Sequence, residues 1–423
     1  MKSFTTAVFF FIAAMNAHGQ GKTDTWLEHL LRSHATPLLE QVLDNPDSFH
    51  YQLIYTQVNR DKNNLPHCKN YFLNVNNKQY FNPASTVKLP VALSALEKLN
   101  QLRVPGLSRH TTMLTDSSYS GQIKVYNDSL AENGLPSIDQ YIREIFLVSD
   151  NNAYNRLYEF VGQQTLNEKL NQKGYSGTRV TRRFMPMTQD ENSHTNAIRF
   201  VAGEKAIYTQ APAVNTIPFD FSNVYKVGNA YYDRQDSLIN APMDFTTHNV
   251  FVLEDLQRML QSVLLPQSVP AKNRFALTEG DKRFLYQYMS ELPYESRFPH
   301  YDTTEYFASY TKFFMFRAGK NRPPSYLRVF NKAGWSYGFL TDAAYIVDFK
   351  HKVEFMITAC IYTNSDGVLN DDKYDYDTIG YPFFQDAGNI IYDFELSRPR
   401  KRLPDLSAFK LNYGSGSAQP NVR

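Results

Sequence analysis

The chain is poor in cysteine: its 423 residues include only Cys68 and Cys360. Two cysteines cannot build the disulfide framework that holds small secreted domains together, so the fold must rest on a hydrophobic core, which a chain of this length can supply. Net charge is also scarce. Lys and Arg number 44 against 42 Asp and Glu, a formal balance of +2, so neither nucleic acid nor a charged membrane surface is implied as a partner. The ten histidines show no paired ligand spacing, and neither a metal site nor a cofactor is expected. There are no internal repeats. What remains is ordinary for a globular protein, with 42% hydrophobic and 20% charged residues. Aromatics are plentiful, with 29 Tyr and 30 Phe, and suit a large core and an aromatic-lined groove equally.

The one conspicuous leader is Met1–Gly19. Lys2 gives it a positive start, the apolar run Ala7–Met15 is too short to span a bilayer, and Ala17 and Gly19 are small residues at cleavage spacing. It reads as a signal peptide, so export to the periplasm or the medium is expected, with the mature chain starting at Gln20. No cysteine follows the run, which argues against a lipoprotein anchor. Residues 401–423 read as a flexible tail, basic and then rich in Gly and Ser. Between the two, residues 20–400 read as one domain interrupted by an insertion at about 201–245.

Apolar periodicity predicts a helix over Trp26–Leu43, strands over His50–Val58 and Asn70–Val75, and a buried helix beginning near Ser85. A polar crossing over Arg103–Leu135 follows, then helices at Ile138–Leu147, Asn152–Val161 and Thr165–Gln172. Thr246–Asn249 is read as the cap of a helix running through Leu264, and Thr278–Leu292 as a further helix. Three strands close the pattern, Tyr326–Trp335, Leu340–Phe349 and Lys352–Thr363, before a last helix within Thr378–Leu396. This order implies an α+β fold: a five-stranded antiparallel sheet with the terminal helices packed on it, plus a helical lobe. A cleft between the two lobes is the default place for chemistry.

Ser-x-x-Lys occurs at Ser85/Lys88, Ser309/Lys312 and Ser407/Lys410. Only the first opens a long apolar helix. Positions three apart on a helix are neighbours, and burial favours the neutral amine that can take a serine proton. The helix N-terminus adds partial positive charge for a developing oxyanion. The plain structural alternative is a capping serine with a snorkelling lysine. Two other stretches stand out. Ser149-Asp150-Asn151 falls in a break between helices, where it can aim a hydroxyl and an amide into a cleft or simply cap a helix. Lys332-Ala333-Gly334-Trp335 falls in a strand, where Gly334 permits close backbone approach and Lys332 can meet a carboxylate or merely guard a sheet edge.

In the order FNPASTVKLP, LVSDNNAYNRLYEFVG and NKAGWSYGFLTDAAYIVDF, these motifs resemble those of the penicillin-recognising serine hydrolases, class A β-lactamases above all. The resemblance implies their β-lactamase/transpeptidase fold and an acyl-enzyme on Ser85. Lys88 would be its base, and Ser149 would pass a proton to the leaving nitrogen. Asn151 would hold the substrate's side-chain carbonyl, and Lys332 its carboxylate. Gly334 would let the strand approach, and the N–H groups of Ser85 and Trp335 would form the oxyanion hole. The implied partner is a small-molecule or peptidyl acyl substrate, a β-lactam or cell-wall peptide, met by a monomer. D-alanyl carboxypeptidase or esterase activity, or a binding protein for cell-wall peptides without turnover, are the alternatives.

Three departures accompany the resemblance. In GTRVTRRFMP, Thr178, Arg179 and Arg182 match the family's loop, but the glutamate that activates the deacylating water falls on Phe184. Glu191 is the nearby substitute. Lys-Thr-Gly has become Lys-Ala-Gly, and Thr341-Asp342 supplies no arginine for the carboxylate. Acylation is therefore expected to be intact and deacylation slow. In such a fold the first strand lies between those carrying Cys68 and Cys360, about 10 Å apart by two strand spacings, so both thiols are expected to be free.

Overall fold

The computed structural model describes residues 21–119 and 122–413; the expected leader over residues 1–19 and the end of the tail lie outside the described residues. Five strands form the main sheet: β1 (Gln52–Arg60), β2 (Pro66–Leu73), β3 (Leu327–Ser336), β4 (Phe339–Asp348) and β5 (Val353–Tyr362). Their order is β3-β4-β5-β1-β2, and every neighbouring pair is antiparallel. Alternate side chains point to opposite faces. On β1, Leu53 and Tyr55 join a core with the helices Thr25–Arg32, Pro37–Asp44 and Tyr381–Ser397. Ile54 and Val58 face the other way, into a core shared with the helical lobe. Because helices cover both faces, β4 and β5 are buried throughout. The expected fold class, sheet plus terminal helices plus helical lobe, is the one observed.

The differences from expectation have local causes. The single helix expected over Trp26–Leu43 is two, because Pro37 disfavours helical backbone at Thr36. The first helix ends at Arg32, and Thr36, in extended backbone, caps the second, its Oγ1 accepting from the Leu39 N–H at 3.2 Å. Thr246–Asn249 does not cap the following helix, which begins at Leu253. Asn249 Oδ1 instead accepts the N–H groups of Thr181 at 2.8 Å and Arg182 at 3.1 Å. The crossing 103–135 contains a strand, Thr112–Thr115, in a small sheet with Ile198–Ala202 and Lys205–Gln210. The tail is not loose through residue 413. Leu406 and Phe409 are buried, and Phe409 packs on Phe330 and Tyr345. The basic composition of the segment hides these two well-placed apolar side chains.

Both cysteines are free. Cys360 pairs with Gln52 on one side of β1 and Cys68 with Val58 on the other, so they are separated along the strand as well as across it. The insertion is strand-built. Lys226–Val227 pairs with Met243–Asp244, and Ala230–Tyr232 pairs with both Leu238–Ile239 and Val368–Leu369, the latter just beyond β5.

Candidate active site

Ser85 lies in a tight 3-10 turn, Ala84–Val87, that runs without a break into the helix Lys88–Leu102. Residues three apart eclipse in such a turn, which puts Ser85 and Lys88 on one face. The backbone ahead of the serine is strained: Ala84 has φ 44. It is pinned by the Asn82 side chain, which accepts the Ala84 N–H at 2.9 Å, and by Thr86 Oγ1, which donates to Pro83 O at 2.6 Å.

Lys88 is fully buried. That burial, and then the charge of nearby Lys332, hold its amine well below the usual lysine range. Lys88 Nζ donates to the Ser149 carbonyl and to Asn151 Oδ1 at 2.7 Å, and lies 3.4 Å from Ser149 Oγ. The lowered pKa favours the neutral amine, the form that can accept a hydroxyl proton. Among the described residues Lys88 makes no hydrogen bond with the Ser85 hydroxyl, and Ser85 is partly exposed.

Ser149 is placed by the break between the helices Ile138–Leu147 and Asn151–Val161, at φ 65. Asp150 supplies the expected helix cap, its side chain accepting from the Ala153 N–H at 2.8 Å. Capping and aiming are thus divided between neighbours: Asp150 caps, while Ser149 and Asn151 turn to Lys88. From the sheet side Lys332 Nζ donates to Ser149 Oγ at 2.8 Å. Lys332 sits on the edge strand β3 yet is only 2% exposed, so it does not serve as a solvated guard of that edge. Burial pushes its pKa down to about 7.

Gly334 brings β3 against the serine turn. A Cβ there would lie 2.6 Å from the Ser85 nitrogen, a distance no side chain tolerates. Tyr337 and Gly338, at φ 53 and 79, form the two-residue turn between β3 and β4. In such a hairpin the flanking pair Ser336–Phe339 exchanges hydrogen bonds, so the Trp335 N–H, one residue back, points to the open edge.

The other two Ser-x-x-Lys pairs are differently placed. Ser407 is exposed at the surface. Ser309 is fully buried and donates to Phe316 O at 3.2 Å. Its partner Lys312 reaches Met289 O and Asn331 Oδ1, each at 2.7 Å. Asn331 in turn donates to Asp342 at 2.8 Å, so a buried Lys312–Asn331–Asp342 cluster underlies Lys332. Burial pushes Lys312 down and Asp342 up, each toward its neutral form. Sequence spacing gives no sign of this cluster.

The loop over residues 178–193 is anchored by a residue the motif match passes over. Arg183 is fully buried, pairs with Glu159 at 3.2 Å and donates to His194 O at 2.6 Å. Asn155 Oδ1 accepts the Phe184 N–H at 2.8 Å. This hangs the Phe184 ring 5.1 Å from Lys88 Nζ. Glu191 is not brought into the cluster. Its carboxylate accepts from the Thr188 N–H at 2.7 Å and Thr188 Oγ1 at 2.8 Å, as the third residue of a capping box. The structure therefore gathers Ser85, Lys88, Ser149, Asn151, Lys332, Gly334 and Trp335, and leaves Glu191 outside. Among the described residues no group of three or more His, Cys, Asp or Glu side chains is placed to hold a metal ion.

A serine turn, an interhelical loop and an edge strand thus converge between a sheet flanked by terminal helices and the helical lobe. The model of the β-lactamase enzyme family matches residues 53–217, which carry the serine turn, the interhelical loop and the Phe184 loop. The chain is also similar to solved structures. These include a β-lactamase from Sphaerobacter thermophilus, at 12% identity and TM-score 0.45, over 84% of this chain and 95% of that one. A class A β-lactamase from Clostridium kluyveri matches at 18% identity and TM-score 0.44, over 84% and 96%. A PBP-A variant, solved as its acyl-enzyme with penicillin G, matches at 12% identity and TM-score 0.45, over 87% and 96%. No curated protein matches in sequence.

Proposed function

We propose that the protein is an exported serine hydrolase that acts through an acyl-enzyme on Ser85, formed with a β-lactam or a related amide or ester. The observation that carries this reading is the buried amine of Lys88, held between Ser149 and Asn151 beside the serine turn. Lys88 takes the Ser85 proton as Oγ attacks the acyl carbon. The N–H groups of Ser85 and Trp335 receive the oxyanion. The proton returns through Ser149 to the leaving nitrogen, with Lys332 steadying both Ser149 and a substrate carboxylate. Export follows from the leader-like segment Met1–Gly19.

D-alanyl carboxypeptidase, ester hydrolysis and a cell-wall-peptide binder remain related readings of the same site. Phe184 favours those in which the acyl group persists, because it occupies the neighbourhood of Lys88 with a ring that cannot activate water. Intact mass after exposure to penicillin and to activated esters tests the proposal. One acyl group per chain, mapped to Ser85, is expected; an adduct on Ser149 or Ser309 overturns the assignment.

A further inference from the structure

A groove of about 550 Å³ begins beside the reacting end of the site and leads away from it. Asn151, Arg182 and Phe184 line one side; Tyr231, Tyr232 and Arg234 of the insertion line the other. Its volume suits a group the size of a drug molecule or a short peptide arm. The insertion wall is fixed in place. The Asn229 N–H donates to Gly367 O at 2.7 Å, and Asn370 Nδ2 to Tyr232 O at 3.0 Å. Tyr225 stacks on Tyr80 with ring centres 4.7 Å apart, and Arg179 donates to Thr246 O at 2.6 Å while its guanidinium lies 4.6 Å from the Phe221 ring centre. A wall already in place loses little order when a ligand arrives.

The groove is lined by two guanidinium groups and one carboxylate. Arg182 contacts His248 Nε2 at 2.6 Å, and burial followed by the Arg182 charge pushes that imidazole down to about 3. Its partner is therefore neutral, and the guanidinium charge is uncompensated there. Arg234 is exposed and makes no ion pair within 4.0 Å among the described residues, although its charge reaches the Glu191 carboxylate. The one carboxylate in the lining, Asp233, keeps its charge but is held in its own turn, where its Oδ1 accepts the Gln235 and Ser237 N–H groups at 2.9 Å each, which leaves the two arginines in excess. Aromatic walls with two available guanidinium groups recognise an apolar body that carries an anion.

We propose that the insertion and the facing loop form an acyl-arm subsite for substrates whose acyl side ends in a carboxylate on an aromatic or apolar body. This rests on Ser85 being the nucleophile, since the groove opens beside that centre. The insertion then selects substrate, and a peptide arm bearing a side-chain carboxylate has the required chemistry.

Two penicillins differing only in the arm, phenylacetyl and para-carboxyphenylacetyl, test it on the full chain by the rate of adduct formation. The carboxylated arm is expected to acylate about tenfold faster at low salt, the scale of one charge-assisted hydrogen bond, with the advantage shrinking as salt screens it. Arg234→Ala should remove most of that ratio, Arg234→Lys should keep part, and Arg234→Glu should invert it. Equal rates for the two arms in the unaltered protein, or a ratio that survives Arg234→Glu, overturn the subsite. Absence of any Ser85 adduct from either penicillin is a different result and overturns the nucleophile reading. In that event equilibrium binding of phenylacetyl-glycine and para-carboxyphenylacetyl-glycine to Ser85→Ala still judges the groove. Tighter binding of the dianion, lost in Ser85→Ala/Arg234→Glu, supports the subsite; equal affinities reject it.

Discussion

The two sides of the cleft are built to different standards. On one side Lys88, Ser149, Asn151 and Lys332 come from a helix, an interhelical loop and a strand, and close into a single hydrogen-bond network around the two buried lysines. On the other side the loop over 178–193 is equally well anchored, through Arg183 and Glu159, but what it presents to Lys88 is the Phe184 ring. Firm construction on both sides means that the phenylalanine is part of the design of the site and not a sign of a collapsed loop. Forming an acyl-enzyme needs only the first side. Removing the acyl group needs a water and its base on the second.

The largest effect should come from breaking the first side. Ser85→Ala is expected to lower the rate of adduct formation by about 10³-fold or more, since loss of a nucleophile removes the covalent route altogether. Intact mass with penicillin checks this, and an adduct retained on the variant would move the nucleophile elsewhere. Next is the repair of the second side. Phe184→Glu puts a carboxyl side chain at the loop position whose N–H is held by Asn155 Oδ1 at 2.8 Å. It should clear the adduct about 10²–10⁴-fold faster, the usual worth of a general base. Glu191→Gln, by contrast, should leave the adduct lifetime unchanged, because the Glu191 carboxylate is engaged by Thr188. A change in lifetime with Glu191→Gln would show that the loop moves on acylation.

A smaller loss is expected from Gly334→Ala. The added Cβ, 2.6 Å from the Ser85 nitrogen, must push β3 off the serine turn and misplace the oxyanion hole. Misplacement by about 1 Å costs on the order of 10²-fold in rate. The smallest effect concerns pH. With its pKa near 7, Lys332 carries its charge below that pH and loses it above. The second-order rate of acylation by penicillin, whose carboxylate uses that charge, should fall several-fold as pH rises through 7, while an uncharged ester should not show this fall. The sign for stability is the opposite. The folded value is depressed from the ordinary 10.5, so between 7 and 10.5 the unfolded chain holds a proton that the folded chain has released, and this lysine's contribution to stability rises with pH there.

Much of this was legible in the sequence because its parts are local. Ser85 and Lys88 share a turn, Ser149 and Asn151 share a break between helices, and Lys332, Gly334 and Trp335 share a strand. Strand order and the free cysteines followed once those motifs suggested a fold. What could not be read depends on contacts between distant segments. Arg183 was one of three neighbouring arginines until Glu159 singled it out. Glu191 looked available until Thr188 claimed its carboxylate in a short helix cap. The 226–244 part of the insertion read as an irregular excursion because its strands are only two or three residues long, below the length at which alternation gives a signal.

The most direct test of the contrast between the two sides is one time course of intact mass after a brief pulse of penicillin to the unaltered protein. The expected result is a single adduct on Ser85 that forms quickly and persists for minutes or longer while free hydrolysed penicillin accumulates slowly. Rapid, complete hydrolysis with no detectable adduct would contradict it, because water would then be activated by a base that the Phe184 loop does not supply.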